Sequence, residues 1–446
     1  MAASVNTRSP GSLETPILNT NEWEYQEHMH HFHYVNNELY CEEVPVTQIA
    51  TEVGTPFYLY SYATLKMHFH AFDGAFQDIA HLTCFSMKSN SNLAVLRLFA
   101  LEGGGVDIVS GGELYRALKA GIEPSKIVFS GVGKRSEDLA YALESDILMF
   151  NIESSQEIER LDGVARDLGK KARVAIRVNP DVDPATHPYI STGLRENKFG
   201  IDIRQAPEQY EMAAKMKNLQ VTGVSCHIGS QLTQVDPFVE ALRRLLDLVD
   251  RLKQSGISIQ YLDLGGGLGI TYEREAPPHP AEYAKAIKSE VKDKDLVLIF
   301  EPGRVIAGNA GILVTQVLYT KSTPEKNFIV VDAAMNDLVR PSLYSSYHAI
   351  QPVVERQRGR IKADVVGPIC ESGDFFAKGR DVDAYEPGDL MAIMSAGAYG
   401  FTMASNYNSR PRVAEVMVYG GQYYVVRKRE TYEDLIRGEV IPDFMR

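Results

Sequence analysis

The chain has 446 residues, of which 44% are hydrophobic and 23% are charged, values typical of a globular protein with a large core. Its 46 basic and 58 acidic residues give a net charge of −12, which argues against a broad nucleic-acid-binding surface but not against a small anionic ligand. No run of 18 apolar residues indicates a membrane span. We therefore expect neither nucleic acid nor membrane as a partner, and the length predicts two domains.

Four widely spaced cysteines (Cys41, Cys84, Cys226 and Cys370) form no CxxC pair, which predicts free thiols and a reducing, cytoplasmic location. Residues 1–30 are rich in polar residues and lack apolar periodicity, so they are predicted to form a disordered extension. A histidine cluster lies at the end of this extension. No acidic or cysteine partner is patterned with it, and we expect no metal site there; the cluster comprises His28, His30, His31 and His33.

From residue 61 to residue 305, short apolar runs alternate with longer helical patterns. Eight strand-then-helix units in about 240 residues are typical of a (β/α)8 TIM barrel, although an open, doubly wound sheet would show the same alternation. The predicted strands are Thr83–Lys88, Val106–Ser110, Ile127–Gly131, Ile147–Ile152, Val174–Asn179, Val221–Ile228, Tyr261–Leu264 and Leu296–Glu301.

After this region the pattern changes to strands separated by turns, which predicts a mostly antiparallel β domain over residues 306–446. Residues 31–60 precede the barrel, and their strand-like run Phe57–Tyr60 is expected to join that β domain. The predicted fold class is therefore α/β plus β. The strands predicted for the second domain are Gly311–Leu318, Phe328–Asp332, Leu390–Ser395, Arg412–Val418 and Gln422–Val426.

Several polar residues fall where predicted barrel strands end, which is the face that carries active sites in these barrels. Lys88 ends the first strand. Burying a lysine is costly, so the pKa of Lys88 is expected to fall toward neutrality, as a Schiff-base lysine requires. The alternative is a lysine on the barrel rim that pairs with a neighbouring carboxylate.

Three glycines, Gly265–Gly267, follow the seventh strand and allow the backbone to approach an anion such as a phosphate. A tight barrel turn would use the same residues. They do not form a dinucleotide-binding fingerprint, because Ile270 stands where the last glycine of that motif would fall.

Two further strand ends carry candidate ligand contacts. His227 follows the sixth strand, and the nearby Gly229 and Ser230 favour contact with a ligand over a buried core histidine. Glu301 ends the eighth strand, where a carboxylate can keep a pyridine nitrogen protonated. An ion pair between Glu301 and Arg304 is the alternative. Four such strand ends together indicate one site.

These motifs together resemble the fold type III, alanine-racemase-like decarboxylases that use pyridoxal 5′-phosphate (PLP), and most closely the diaminopimelate decarboxylase family. The resemblance extends over residues 31–440. It rests on GTPFYLYS (54–61), FSMKSN (85–90), RVNPDVDPATHPYISTGLRENKFGI (177–201), CHIGSQ (226–231), DLGGGLG (263–269), EPGR (301–304), RPSLY (340–344), CESGD (370–374) and GAYG (397–400).

The resemblance implies a barrel that binds PLP and a β domain that completes the active site across a homodimer interface. It implies that Lys88 is the Schiff-base lysine, that His227 stacks on the cofactor ring and that Glu301 contacts the pyridine nitrogen. The remaining cofactor contacts that it implies are Ser230, Gly266, Gly267, Pro302, Gly303, Arg304 and Tyr399.

The implied activity is decarboxylation of meso-2,6-diaminopimelate to L-lysine. Substrate carboxylate contacts are expected from Arg304, Arg340 and Tyr344. Cys370 is expected to be the proton donor and Glu371 a contact to the distal amino group, both from the partner subunit. Tyr399 is expected to touch substrate as well as cofactor.

Alternatives remain within the same fold. Ornithine, arginine and carboxynorspermidine decarboxylases share it, but their substrates fit the arginine-rich motifs poorly. A non-catalytic PLP carrier would have no use for the CESGD motif, and a PLP-free barrel that binds another phosphate is a third alternative. The polar segment Thr186–Lys198 is a candidate lid over the site.

Overall fold

The structure, a computed structural model, describes residues 30–183 and 198–446. The predictions for the first 29 residues and for all but the last residue of the candidate lid lie outside these ranges. Within the described ranges, no helix combines the length and apolar character needed to cross a bilayer. The same residues include no cluster of three or more His, Cys, Asp or Glu side chains placed to hold a metal ion.

The chain begins with a small antiparallel sheet in the order β1-β2-β3, followed by a short helix. Buried side chains of this segment pack in one hydrophobic cluster with Phe57, Leu59 and Ile312 of the second domain. The elements are β1 (Phe32–Val35), β2 (Glu38–Cys41), β3 (Val44–Pro45), α1 (Val46–Val53) and β4 (Phe57–Ser61).

Helix α2 (Tyr62–Asp73) leads into the alternating strands and helices that were predicted to form the first domain. In chain order these are β5 (His81–Ser86), α3 (Leu93–Leu101), β6 (Gly105–Ile108), α4 (Gly111–Ala120), β7 (Ile127–Phe129), α5 (Ser136–Glu144), β8 (Met149–Ile152), α6 (Ser155–Asp167), β9 (Ala172–Asn179), β10 (Ile201–Asp202), α7 (Ala206–Lys215), β11 (Leu219–Ser225), α8 (Asp236–Gln254), β12 (Tyr261–Asp263), α9 (Pro280–Val291) and β13 (Val297–Phe300).

Eight of these strands form a closed parallel barrel, because β8 pairs with β9 and β13 pairs with β5. The two-residue strand β10 pairs with β9 outside the ring. The barrel prediction is therefore confirmed over the open sheet. All eight strands were predicted from their apolar runs, with ends that differ by no more than three residues.

Local sequence explains where the outer helices begin and how they pack. Ser110 and Ser154 accept hydrogen bonds from backbone N–H groups in the first turns of α4 and α6, and so satisfy donors that a helix start leaves unpaired. The longest helix, α8, begins with Pro237 in its first turn and buries apolar residues at three- and four-residue spacing. The buried faces of these helices pack on the outer face of the barrel.

The second domain follows the barrel and consists mainly of strands. Its elements are α10 (Arg304–Ala307), β14 (Gly311–Ser322), β15 (Asn327–Val331), α11 (Arg340–Tyr344), β16 (Ile350–Pro352), β17 (Arg360–Val366), β18 (Phe375–Asp383), β19 (Leu390–Ile393), β20 (Ala414–Tyr419), β21 (Gln422–Arg427) and α12 (Tyr432–Leu435).

The main sheet of this domain runs in the order β18-β17-β15-β14-β4-β20-β21, with β19 pairing β14 and β16. Most pairs are antiparallel, as predicted, while β15–β17 and β4–β20 are parallel. Strand β4 lies between β14 and β20, so the N-terminal segment joins this domain as predicted. The domain boundaries drawn at residues 30, 60 and 305 stay predictions.

Candidate active site

Lys88 lies two residues beyond β5 at the mouth of the barrel, with 37% of its side chain exposed. Its Nζ donates a 2.9 Å hydrogen bond to Asp107 Oδ2, at the end of the neighbouring strand β6. Ser86 Oγ donates to the same carboxylate oxygen over 3.0 Å. The other oxygen, Asp107 Oδ1, is buried without a hydrogen-bond partner among the described residues.

The predicted fall in the pKa of Lys88 is wrong for this structure. Burial by itself lowers that pKa, but attraction to the carboxylates of Asp107 and Glu301 outweighs burial. The pKa of Lys88 therefore stands above its ordinary value. The sequence around Lys88 shows that burial lowers its pKa, but it does not show the acidic neighbours on other strands that raise it.

Glu301 follows β13 and is buried with a second carboxylate, Asp263 at the end of β12. Ser130 Oγ donates to Glu301 Oε1 over 3.2 Å, and Asn151 Nδ2 approaches the same oxygen at 3.4 Å. Asn151 Nδ2 also donates to Asp263 Oδ2 over 2.8 Å. The amide of Gly265 donates to Asp263 Oδ1 over 2.9 Å. This network connects Glu301 to the ends of three other strands, β7, β8 and β12.

Burial, followed by repulsion from Asp107 and Asp263, raises the pKa of Glu301 well above its usual range. Burial also raises the pKa of Asp263 to about 6. A proton between the two carboxyl groups therefore relieves their repulsion. The alternative of a Glu301–Arg304 ion pair is not found, since Arg304 donates instead to Tyr272 and Ser230.

The glycine run after β12 forms a tight backbone turn against two other strand ends. A Cβ atom at Gly266 would lie 2.2 Å from the carbonyl oxygen of Glu301. One at Gly267, whose φ is +119°, would lie 2.5 Å from the carbonyl oxygen of Gly229. Only glycine fits these positions. This close packing is what a tight barrel turn requires, and the phosphate contacts expected from Gly266 and Gly267 stay predictions.

His227 lies beside this turn, and its Nδ1 accepts a 3.2 Å hydrogen bond from the amide of Gly266. Burial, together with the charges of Arg177 and Lys88, holds the pKa of His227 well below its usual range. The ring is therefore neutral. A neutral aromatic ring at this place is compatible with the predicted stacking on a cofactor ring.

The second domain reaches the lysine loop through Tyr399, which has a left-handed backbone with φ of 56°. Its amide donates to the carbonyl of Ser89 over 2.8 Å, one residue after Lys88. Pro302 contributes its carbonyl, which accepts from the amide of Ser86 over 2.9 Å. Gly303 packs closely here, since a Cβ atom on it would lie 3.1 Å from Ser86 Cβ. These contacts join the predicted residues of three motifs.

Arg304 and Arg340 line a cavity of about 140 Å³ together with Tyr272 and Tyr344. The Arg304 guanidinium donates to Ser230 Oγ over 3.0 Å and lies 4.8 Å from the centre of the Tyr399 ring. Neither arginine lies within ion-pair distance of a carboxylate of the described chain, and Arg304 Nε is buried without a partner. Two buried cations that face one cavity in this way form a site for an anionic group.

Cys370 and Glu371 are not brought into this site by their own chain. Both side chains are exposed in the loop between β17 and β18, and neither lines the cavity. The amide of Cys370 donates to Asn408 Oδ1 over 3.1 Å. Their surface position leaves them available to a second subunit.

Five residues of the site were not predicted from the sequence, although most of them stand in a recognisable sequence pattern. Four of them are single polar residues near the ends of otherwise apolar barrel strands, a pattern that favours function over packing. Tyr272, beyond the glycine run, carried no such signal. The missed residues are Asp107, Ser130, Asn151, Asp263 and Tyr272.

The chemistry of these side chains fits PLP. Lys88 supplies an amine at the barrel mouth, and the Gly265–Gly267 turn places backbone without side chains beside His227 and Glu301. Two buried polar atoms, Asp107 Oδ1 and Arg304 Nε, have no hydrogen-bond partner among residues 30–183 and 198–446. A compact molecule with an aldehyde, a phosphate and a protonatable ring nitrogen would engage these groups.

Comparison with known proteins agrees with this fit. Residues 62–308, which contain the whole barrel, match the family described as "Pyridoxal-dependent decarboxylase, pyridoxal binding domain". The chain is 54% identical over 409 residues to the diaminopimelate decarboxylase of Vibrio cholerae, covering 91% of this chain and 98% of that protein. It is 49% identical to the Aquifex aeolicus diaminopimelate decarboxylase, covering 92% and 98%.

Solved structures show the same likeness. The diaminopimelate decarboxylase of Helicobacter pylori complexed with L-lysine has a TM-score of 0.85 and 45% identity, covering 88% of this chain and 98% of that one. The M. jannaschii enzyme in complex with L-lysine has a TM-score of 0.89 and 38% identity, covering 93% and 99%. The chain therefore belongs to the PLP-dependent decarboxylase family, and within it to the diaminopimelate decarboxylases.

Proposed function

We propose that this chain decarboxylates meso-2,6-diaminopimelate to L-lysine and CO2 with PLP as cofactor. The main support is a pair of buried guanidinium groups, those of Arg304 and Arg340. Both line one cavity, and neither pairs with a carboxylate among the described residues. Diaminopimelate carries a complete amino-acid group at its distal end, so its distal carboxylate can occupy that cavity. Ornithine and arginine lack such a carboxylate.

In the proposed assignment, Lys88 binds the cofactor covalently and Glu301 faces its ring nitrogen. His227 lies against the ring, and the phosphate is held by Ser230, Gly266 and Gly267. PLP, when bound, accepts the electron pair that the departing CO2 leaves behind. The bond between the α-carbon and the carboxylate breaks, and a proton takes the place of CO2.

The remaining groups of the assignment bind and protonate the substrate. Arg304, Arg340 and Tyr344 hold a substrate carboxylate. A bidentate contact from an arginine fixes the orientation of that carboxylate. Tyr399 contacts cofactor and substrate from the second domain. The Arg304 contact to Tyr399 supports this assignment, since it joins the cavity to the lysine loop.

We further propose that the protein acts as a homodimer in which Cys370 and Glu371 enter the active site of the other subunit. Cys370 donates the proton to the α-carbon, and Glu371 contacts the distal amino group. Their exposure on their own subunit supports this arrangement. We also propose the cytoplasmic location that the spacing of the four cysteines predicts.

A substrate panel tests the proposed function. The PLP-loaded protein is incubated separately with meso-diaminopimelate, L-ornithine, L-arginine and L-lysine, and CO2 is measured. We expect CO2, with L-lysine as product, from meso-diaminopimelate alone. Release from a basic amino acid instead would contradict the assignment of the arginine pair.

A further inference from the structure

We propose that Tyr272 is a positioning residue that holds Arg304 and Arg340 together so that both face one substrate carboxylate. Tyr272 follows the glycine turn and is almost fully buried beneath the cavity. The inference rests on the proposed function, because the carboxylate in question is that of the bound amino acid.

The phenol contacts both arginines. Arg304 Nη1 donates a 2.6 Å hydrogen bond to the Tyr272 hydroxyl. The Arg304 guanidinium lies 5.8 Å, and that of Arg340 5.1 Å, from the centre of the Tyr272 ring. Both distances are within the range of cation–π attraction. One side chain thus binds two groups of like charge that would otherwise repel each other.

A second aromatic side chain supports this arrangement. The ring of His348 packs edge-to-face against Tyr272, with 5.3 Å between ring centres. Its Nδ1 hydrogen-bonds the carbonyl of Met394 over 2.9 Å, which leaves Nε2 to accept from Arg340 Nε at 3.4 Å. Burial lowers the pKa of His348 to about 3, so this ring adds no positive charge to the cluster.

The loop that carries Tyr272 is held by its own carboxylate. Glu275 Oε2 accepts hydrogen bonds from the amides of Tyr272 and Glu273, over 2.9 and 2.7 Å. Although Glu275 lines the cavity, this carboxylate is engaged by backbone and pairs with neither arginine. The positive charge of the pair therefore remains available to a ligand.

The test uses Tyr272→Phe in the PLP-loaded enzyme, a change that keeps the ring and removes the hydroxyl. We expect the KM for meso-diaminopimelate and the Kd for L-lysine to rise about tenfold, the loss typical of one hydrogen bond to a charged group, while kcat changes by less than about threefold. The second ligand is 1,5-diaminopentane, which is L-lysine without its carboxylate. Its Kd should stay unchanged.

Tyr210→Phe is the matched control, because it removes the hydroxyl of another buried tyrosine, one that donates to the carbonyl of Gly223 over 2.9 Å and does not line the cavity. We expect parental KM and Kd values from this variant. Thermal unfolding of both variants shows whether they fold. The more severe Tyr272→Leu, which also removes the ring, should raise the Kd for L-lysine further.

Two results would overturn the inference. Parental affinity for L-lysine in Tyr272→Phe would mean that the hydroxyl does not position Arg304. Equal weakening of L-lysine and 1,5-diaminopentane would assign Tyr272 a general structural role. If the parental enzyme itself neither binds L-lysine nor releases CO2 from meso-diaminopimelate, the proposed function fails, and the failure is visible before any variant is compared.

Discussion

Asp107 accepts a 2.9 Å hydrogen bond from Lys88. Asp107 lies in β6 and Lys88 follows the neighbouring strand β5, so a carboxylate of one strand sets the charge of the lysine beyond the other. The carboxylate is fully buried, whereas the lysine lies at the open mouth. Without cofactor, the amine is therefore held in its charged form. Capture of PLP requires the neutral amine, so Asp107 opposes the first step of cofactor binding while it orients the side chain.

Asp107→Asn should lower the pKa of Lys88, because it removes the strongest charge that raises it. Each unit of decrease gives about tenfold more neutral amine at neutral pH, so we expect faster capture of PLP there. The measurement is the rate of PLP binding to cofactor-free protein, followed by absorbance as a function of pH. Asp78→Asn, which breaks an exposed pair with Lys288, is the control. An unchanged pH profile in Asp107→Asn would refute the coupling.

Gly266→Ala should weaken PLP binding, since the added Cβ would lie 2.2 Å from the carbonyl oxygen of Glu301 and the turn must move. We expect at least about a tenfold rise in the Kd for PLP, as a shift of the phosphate cradle costs one or more charge-assisted hydrogen bonds. Gly74→Ala, where no atom lies within 4 Å of the new Cβ, provides the control. Equal PLP affinity in the two variants would show that the glycine turn does not contact the cofactor.

Mixing two inactive chains tests the shared active site. Lys88→Ala and Cys370→Ala should each have low activity as pure proteins. When the two are co-expressed in equal amounts, half the dimers are mixed, and each mixed dimer holds one site with both native residues. We then expect about a quarter of parental activity. Recovery of none would place Cys370 in the active site of its own subunit or outside any site.

The buried carboxyl pair predicts a pH dependence of stability in the cofactor-free protein. Burial raises the pKa of Asp263 from 3.8 to about 6, so the folded chain binds this proton more tightly than the unfolded chain does. The free energy of unfolding should therefore fall as pH rises through this window. Asp263→Asn should reduce the fall by on the order of 1 to 3 kcal/mol.

Denaturant unfolding at several pH values across the window measures this effect. Asp162→Asn provides the control, because Asp162 accepts from Asn218 on the outer layer of the barrel. It should keep the parental pH dependence. A parental dependence in Asp263→Asn would show that Asp263 does not hold the proton.

The barrel was predictable because each of its strands is a short apolar run, and four of these runs end at a recognisable residue such as Lys88 or Glu301. Strands β17 and β18 were missed because charged residues interrupt their apolar pattern, as in RIKADVV, where only the middle of the strand is buried. These strands pair with each other, β17 also pairs with β15, and only some residues of each reach the hydrophobic core.

Residues of the candidate site that belong to a sequence motif could be predicted. Residues that reach the site only through packing of distant segments could not. Lys88 was placed correctly, but the direction of its pKa shift depends on Asp107, which is 19 positions away and becomes a neighbour only when β5 and β6 pair. Tyr272 meets Arg340 for the same reason, through contact between two domains. No local pattern encodes such a meeting.

We propose that Lys88 and its cofactor convert meso-diaminopimelate to L-lysine. The amounts of CO2 and L-lysine formed by the PLP-loaded protein and by Lys88→Ala test this conversion. We predict equal molar amounts of both products from the parental protein and neither product from the variant. L-lysine and CO2 formed by Lys88→Ala at the parental rate, or no reaction in the parental protein, would contradict the account.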